Sequence, residues 1–278
     1  MTPTPSHIHI DTGTDQLRCD IIDRVAVITL NRPEARNALS DALTGALRRQ
    51  IHDRGRDAAV GALLVTGAGK AFCAGGDVKG MGGRAANTAP TTPDERFETM
   101  RARHHEIAGA LRALRKPSIA ALPGPAAGAG LAIALACDLR VAARSAFVST
   151  GYARIGLSGD YGIAWLLTRA VGPGRARELM LLGERIDMAR AEQLGLVNRV
   201  FDDEVLHAEA LALARQLAHG PAVAQRYIKD NLDEALDIDH ATAIDHEAER
   251  LLRATGSDDH KEAVTAFVEK REPVFRGR

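Results

Sequence analysis

The 278-residue sequence has no net charge, no paired cysteine motif and no long apolar run, and each absence excludes a class of protein. Its 36 Lys and Arg balance 36 Asp and Glu. The arginines interleave with acids and apolar residues instead of forming a basic stripe, so no nucleic-acid partner is expected. Cys19, Cys73 and Cys137 are odd in number and share no C-x-x-C spacing. Neither a disulfide framework nor a metal site is therefore expected, and a reducing, cytoplasmic setting fits best. The start, MTPTPSHIHIDTGTDQ, lacks a basic segment followed by an apolar run, and nowhere do apolar residues approach about 18 in succession. No signal peptide and no membrane partner are expected.

What is present describes an ordinary globular α/β chain, 45% hydrophobic and 26% charged. Residues 1–16, rich in Thr, Pro, Ser, His and Asp, predict a loose tail. Leu17 to Ile22 and Val25 to Leu30 are β-prone runs separated by Asp23-Arg24, the spacing of a tight hairpin. Ser40 offers an N-cap to a helix that carries Leu43, Ala46, Leu47 and Ile51 and runs to about Gly55. Val60 to Gly67 reads as a strand buried on both faces. Gly80 to Pro93 lacks periodicity and predicts a surface loop.

The stripe Phe97, Met100, His104, Ile107, Leu111 and Leu114 then predicts an amphipathic helix, with His104 as a core residue. Lys116-Pro117 ends it, and Ser118 to Leu122 returns as a strand. From Gly162 onward the pattern is nearly all helix, with Asp187 and Asp203 as caps. The organisation is one α/β domain with a helical C-terminal half.

Two segments repeat one arrangement, a buried strand, small residues and then a helix: LLVTGAGKAFCAGGDVKGM (63–81) and SIAALPGPAAGAGLAIALACD (118–138). Small residues let bare backbone approach a ligand, and free N–H groups at a helix start attract developing negative charge. Two such loops make a two-donor anion site. The same glycines also suit tight packing, but they match neither a phosphate loop nor G-x-G-x-x-G.

The runs NRPEARNALS (31–40), GKAFCAGGDVKGM (69–81), KPSIAALPGPAAGAGLAIALACDLRVA (116–142), RIGLSGDYGIAWLL (154–167) and RARELMLLGERIDMARAEQLGLVNRV (175–200) resemble successive signatures of the enoyl-CoA hydratase/isomerase (crotonase) family. The resemblance implies an α/β fold, a crotonase-like ββα spiral over residues 17–200. A helical C-terminal region, 201–278, would serve oligomerisation into homotrimers or hexamers and closure of the coenzyme A site. It implies an acyl-CoA substrate, with no separate cofactor.

It further implies that the amides of Gly76 and Ala129 grip the thioester oxygen. Coenzyme A would be held by backbone around Ala74, Gly76, Asp77, Val78 and Lys79, with Arg36 and Lys79 near its phosphates and Phe267 and Lys270 approaching from the closing helix. The two glutamates of the family's hydratases are replaced here by Ala132 and Tyr152. One acid remains, Asp160, where some family isomerases and aromatic acyl-CoA dehalogenases hold a working aspartate. A single base suffices for double-bond migration, so isomerisation is favoured over hydration. Hydrolytic dehalogenation and acyl-CoA binding without turnover stand as alternatives. Apart from the resemblance, Asp160 reads as a cap of the helix near Gly162, Tyr152 as a partly buried aromatic that lines the acyl pocket or donates a hydrogen bond, and Cys73 as a small packing residue.

Overall fold

In the computed structural model, which describes residues 7–77 and 92–278, the alternating HIHI segment is a strand, β1 (His7–Ile10). It pairs antiparallel with β2 (Leu17–Ile22), where His7 and His9 both lie 3.1 Å from one oxygen of Asp20. The predicted loose tail is corrected over residues 7–16. Composition alone undervalued a period-two segment that finds a neighbour to pair with.

The hairpin forms as predicted: β2 pairs in register with β3 (Val25–Leu30), and Asp23 and Arg24 both take positive φ, 50° and 66°. That geometry matches the right-handed twist of the flanking strands. From β3 the sheet turns parallel through β4 (Ala62–Gly67), β5 (Ser118–Leu122), β7 (Leu139–Ala143) and β10 (Arg199–Phe201). Every residue of β4 and β5 is buried, as expected for parallel strands covered on both faces. A second, three-stranded sheet joins β6 (Ala126–Ala127), β8 (Phe147–Ser149) and β9 (Ile186–Asp187).

Helix α1 (Asp41–Arg56) starts where expected, Ser40 Oγ accepting from the Leu43 amide at 3.2 Å. It buries Leu43, Ala46, Leu47 and Ile51, the residues spaced for one face. Helix α2 (Pro93–His104) runs on through a π turn, His105–Gly109, into a last turn, Ala110–Arg112. Its stripe splits in two: Ile107, Leu111 and Leu114 are buried, whereas Phe97 and Met100 are exposed. Only the C-terminal half of the predicted stripe reaches the core. The Gly80 to Pro93 loop lies, over residues 80–91, outside the described residues.

The short α3 (Ala129–Ala136) is wholly buried, and α4 (Ile163–Leu182), α5 (Met188–Gln193), α6 (Leu206–Ala218), α7 (Ala222–Glu234), α8 (His240–Thr255) and α9 (Asp258–Glu269) follow. Asp187 caps α5, accepting from the Arg190 amide at 2.9 Å. Asp203 does not cap α6; it accepts from the Ser145 amide and hydroxyl, a partner 58 residues away. Helix α7 is tied to the segments that lead into β5 and β7 by Lys229, whose Nζ donates to Asp138 at 2.7 Å and to the Lys116 carbonyl at 3.1 Å.

Candidate active site

Strands β4 and β5 deliver the two small-residue loops side by side. Phe72 and Cys73 donate their amides to the Pro125 carbonyl, and Ala127 donates to the Cys73 carbonyl at 2.9 Å, so the loops form a short parallel bridge. The approach is closer than any side chain allows. A Cβ on Gly130 would stand 2.3 Å from the Cys73 carbonyl oxygen, and one on Gly75 would stand 2.9 Å from that of Ala127 and 3.5 Å from the Ala129 nitrogen. Small residues here are a packing requirement of the two loops.

Gly76 bridges to Leu39, whose amide donates to the Gly75 carbonyl at 2.9 Å. In a parallel bridge the residue facing the bonding one keeps its own N–H on the far side of the strand. Ala129 is the first residue of α3, after Gly128 at φ 53°, so its N–H has no acceptor within the helix. The sequence thus brings Gly76 and Ala129 to two adjoining loops, each with an amide outside its own secondary structure.

The 31–40 segment supports the first loop. The Ala74 amide donates to the Arg36 carbonyl at 3.0 Å, and both terminal nitrogens of Arg32 reach Asp77 Oδ2 at 3.2 Å. Arg36 is exposed beside this loop. Val78 and Lys79 lie outside the described residues. Phe267 and Lys270 sit at the exposed end of α9, which packs on α8.

Against the start of α3 lies the titratable cluster. The Tyr152 ring passes over Gly128, its Cζ 3.8 Å from where a Gly128 Cβ would stand. Its hydroxyl donates to Oδ1 of Asp160. The side chain of Asp160 therefore does not cap α4; only its backbone carbonyl accepts, from the Ile163 amide at 3.0 Å. Burial raises the Asp160 carboxyl above the ordinary aspartate value, opposed by the Tyr152 bond and the nearby His104. Tyr152 itself is buried, and burial together with the Asp160 charge pushes its phenol up, keeping it a neutral donor.

His104 is half-buried and stacks on Tyr161, ring centroids 4.2 Å apart, a correction to its reading as a core residue. Burial holds its imidazole below the usual value against the pull of Asp160. Phe97, Met100, His104 and Tyr161 line a cavity of about 370 Å³ that runs up to Gly162, two residues past Asp160. Phe97 and Met100, exposed instead of packed in the core, form part of its wall.

Two pairings escape sequence reasoning: that Asp160 is the acceptor of the Tyr152 hydroxyl, and that His104 is a neighbour of Asp160. Tyr152 carried a signal, lying eight residues before Asp160 at a position where a glutamate was expected. His104 carried none, since its approach to Asp160 is purely tertiary.

Cys73 is fully buried at the loop junction, and burial pushes its thiol up to about 12. A thiol that is neutral and inaccessible is a poor nucleophile. The folded protein should leave Cys73 unlabelled by iodoacetamide, as peptide mass spectrometry would read; rapid labelling at neutral pH would contradict the packing role. Among the described residues, no group of three or more His, Cys, Asp and Glu side chains converges as a metal site.

The enoyl-CoA hydratase/isomerase family model matches residues 20–278. The chain is 37% identical over 261 residues to 1,2-epoxyphenylacetyl-CoA isomerase of Escherichia coli K12, covering 91% of this chain and 95% of that one. It is also 37% identical over 265 residues to the probable enoyl-CoA hydratase echA8 of Mycobacterium leprae, covering 95% and 99%. Among solved structures, an enoyl-CoA hydratase from Polaromonas sp. JS666 superposes with a TM-score of 0.86 at 32% identity, over 93% of this chain and 99% of that one.

Proposed function

The chain is an enzyme of the enoyl-CoA hydratase/isomerase family, with the crotonase fold, and from that premise we propose that it isomerises the double bond of an enoyl-CoA. The Gly76 and Ala129 amides hold the thioester oxygen. Asp160 takes a proton from the α-carbon, the C–H electrons pass into the conjugated system and charge collects on the oxygen. Reprotonation at the γ-carbon completes the shift. The observation that carries this reading is the half-buried carboxylate of Asp160, bonded by the Tyr152 hydroxyl beside the α3 start, with Ala132 and Tyr152 where the resemblance would put hydratase glutamates.

The acyl group fits the cavity lined by Phe97, Met100, His104 and Tyr161, which lies within the usual range for small-molecule sites. Coenzyme A would lie along Ala74, Gly76, Asp77, Val78 and Lys79, with Arg36 at its phosphates and Phe267 and Lys270 closing over it. Residues 17–200 form the catalytic core in this reading, and 201–278 the region that joins copies into homotrimers or hexamers. The large apolar side chains of Ile228, Leu232, Leu236, Ile244, Leu251 and Leu252 are exposed on or beside α7 and α8, a surface that solitary soluble chains rarely present. No helix of the described residues is long and apolar enough to cross a membrane. A cytoplasmic setting suits the balanced charge and free cysteines.

The enolate is tested directly by incubating the enzyme with a 3-enoyl-CoA in deuterium oxide and following the product by proton NMR. Deuterium entering at the α- or γ-carbon as the double bond moves is expected. Binding without exchange or migration would overturn the proposal.

A further inference from the structure

We infer that Tyr152 is the positioning residue of Asp160: its hydroxyl fixes Oδ1 of the carboxylate, leaving Oδ2 as the atom that takes and returns the substrate proton. This rests on the reading of Asp160 as the base. Three observations carry it.

First, Tyr152 is 4% exposed, so its ring is held in the site, and among the described residues its hydroxyl has a single protein acceptor, Asp160 Oδ1. Second, the ring lies against Gly128, the residue that opens α3 immediately before Ala129. One side chain therefore ties the carboxylate to the amide that receives the developing charge, fixing base and anion site relative to each other. Third, Asp160 is followed by two residues at positive φ, Tyr161 at 48° and Gly162 at 74°. A carboxylate on such a turn, without a cap bond to α4, has no other fixed contact for its oxygens among the described residues than Tyr152.

The bond has a second effect. A donor to the ionised form favours that form, so Tyr152, together with the nearby His104, offsets part of the burial that raises the Asp160 carboxyl. A general base must be ionised, so activity falls as pH drops through the Asp160 value in the folded enzyme. Without the hydroxyl that fall moves to higher pH.

The test is Tyr152→Phe, which keeps the ring over Gly128 and removes only the donor, assayed for kcat/KM of enoyl-CoA isomerisation across pH. The acid limb should move to higher pH and kcat should fall about tenfold or more, the scale of one hydrogen bond to a charged group, with KM nearly unchanged. Site-specific 3-fluorotyrosine at 152, a more acidic phenol and stronger donor, should move the limb the other way; it also serves if the Phe variant does not fold. A limb that moves in neither variant, or a loss confined to melting temperature, would overturn the positioning role. Asp160→Asn separates the two ideas: if it keeps the parent rate, the base reading fails, whereas an Asp160-dependent rate with an unmoved limb defeats only the role of Tyr152.

Discussion

Asp160→Asn should lower kcat for double-bond migration by about 10²- to 10⁴-fold, the contribution of a positioned general base, with acyl-CoA affinity nearly unchanged. The amide keeps the shape of the carboxylate and can still face the Tyr152 hydroxyl, so packing against the buried ring survives. What is lost is the atom that accepts the proton. Steady-state rates and direct titration with a substrate analogue, on the same preparation, distinguish lost chemistry from lost binding. Because burial raises the Asp160 carboxyl, the parent enzyme should lose activity toward acid at a pH above the ordinary aspartate range. An asparagine variant as fast as the parent would remove Asp160 from the mechanism.

Gly130→Ala should cost about a hundredfold or more in kcat, because it acts on the anion site while leaving Asp160, Tyr152 and His104 in place. The added methyl would stand 2.3 Å from the Cys73 carbonyl oxygen and 2.7 Å from Cys73 Cβ. The first of these is backbone, so relief requires α3 and the first loop to separate. Ala129 is the residue next to 130, so its amide moves with the helix. Removing one pre-aimed donor from an oxyanion site typically costs about 3 kcal/mol of barrier. Alanine is the better helix former by roughly 1 kcal/mol, so helix propensity predicts the opposite sign. Circular dichroism and melting temperature measured alongside kcat show whether the fold holds while the rate falls; an unchanged kcat in a folded variant would mean that the close approach serves packing alone.

The parts legible in the sequence are those decided within a few residues. Asp23-Arg24 set the hairpin, Ser40 set the start of α1, and Lys116-Pro117 with the following β-branched and small residues set β5 at Ser118–Leu122. The glycines of the two loops could be located but not interpreted, since phosphate binding and tight packing ask for the same residues. Their mutual approach, Cys73 against Gly130, is a contact across 57 positions. Partners chosen at long range were illegible for the same reason. Asp203 turns to Ser145, 58 residues away, instead of its own helix. Asp160 turns to Tyr152, only eight residues back, instead of capping α4, because the turn between them brings the two side chains together. His104 shows the limit of periodicity: its spacing matched the buried stripe, yet the stripe reaches the core only from the π turn that follows it, and His104 faces Tyr161. Strand β1 was missed because the tail's composition is polar, while its pairing depends on β2.

The central claim is that one carboxylate facing an enolate site moves a double bond and does not hydrate it. It is tested most directly by giving the unaltered enzyme matched 3-enoyl- and 2-enoyl-CoA substrates and separating the products by chromatography. The account predicts conversion of the 3-enoyl to the 2-enoyl thioester, with 3-hydroxyacyl-CoA forming at least about a hundredfold more slowly, the low end of what a missing acid/base group costs. Hydration as fast as isomerisation, or hydration alone, would contradict it.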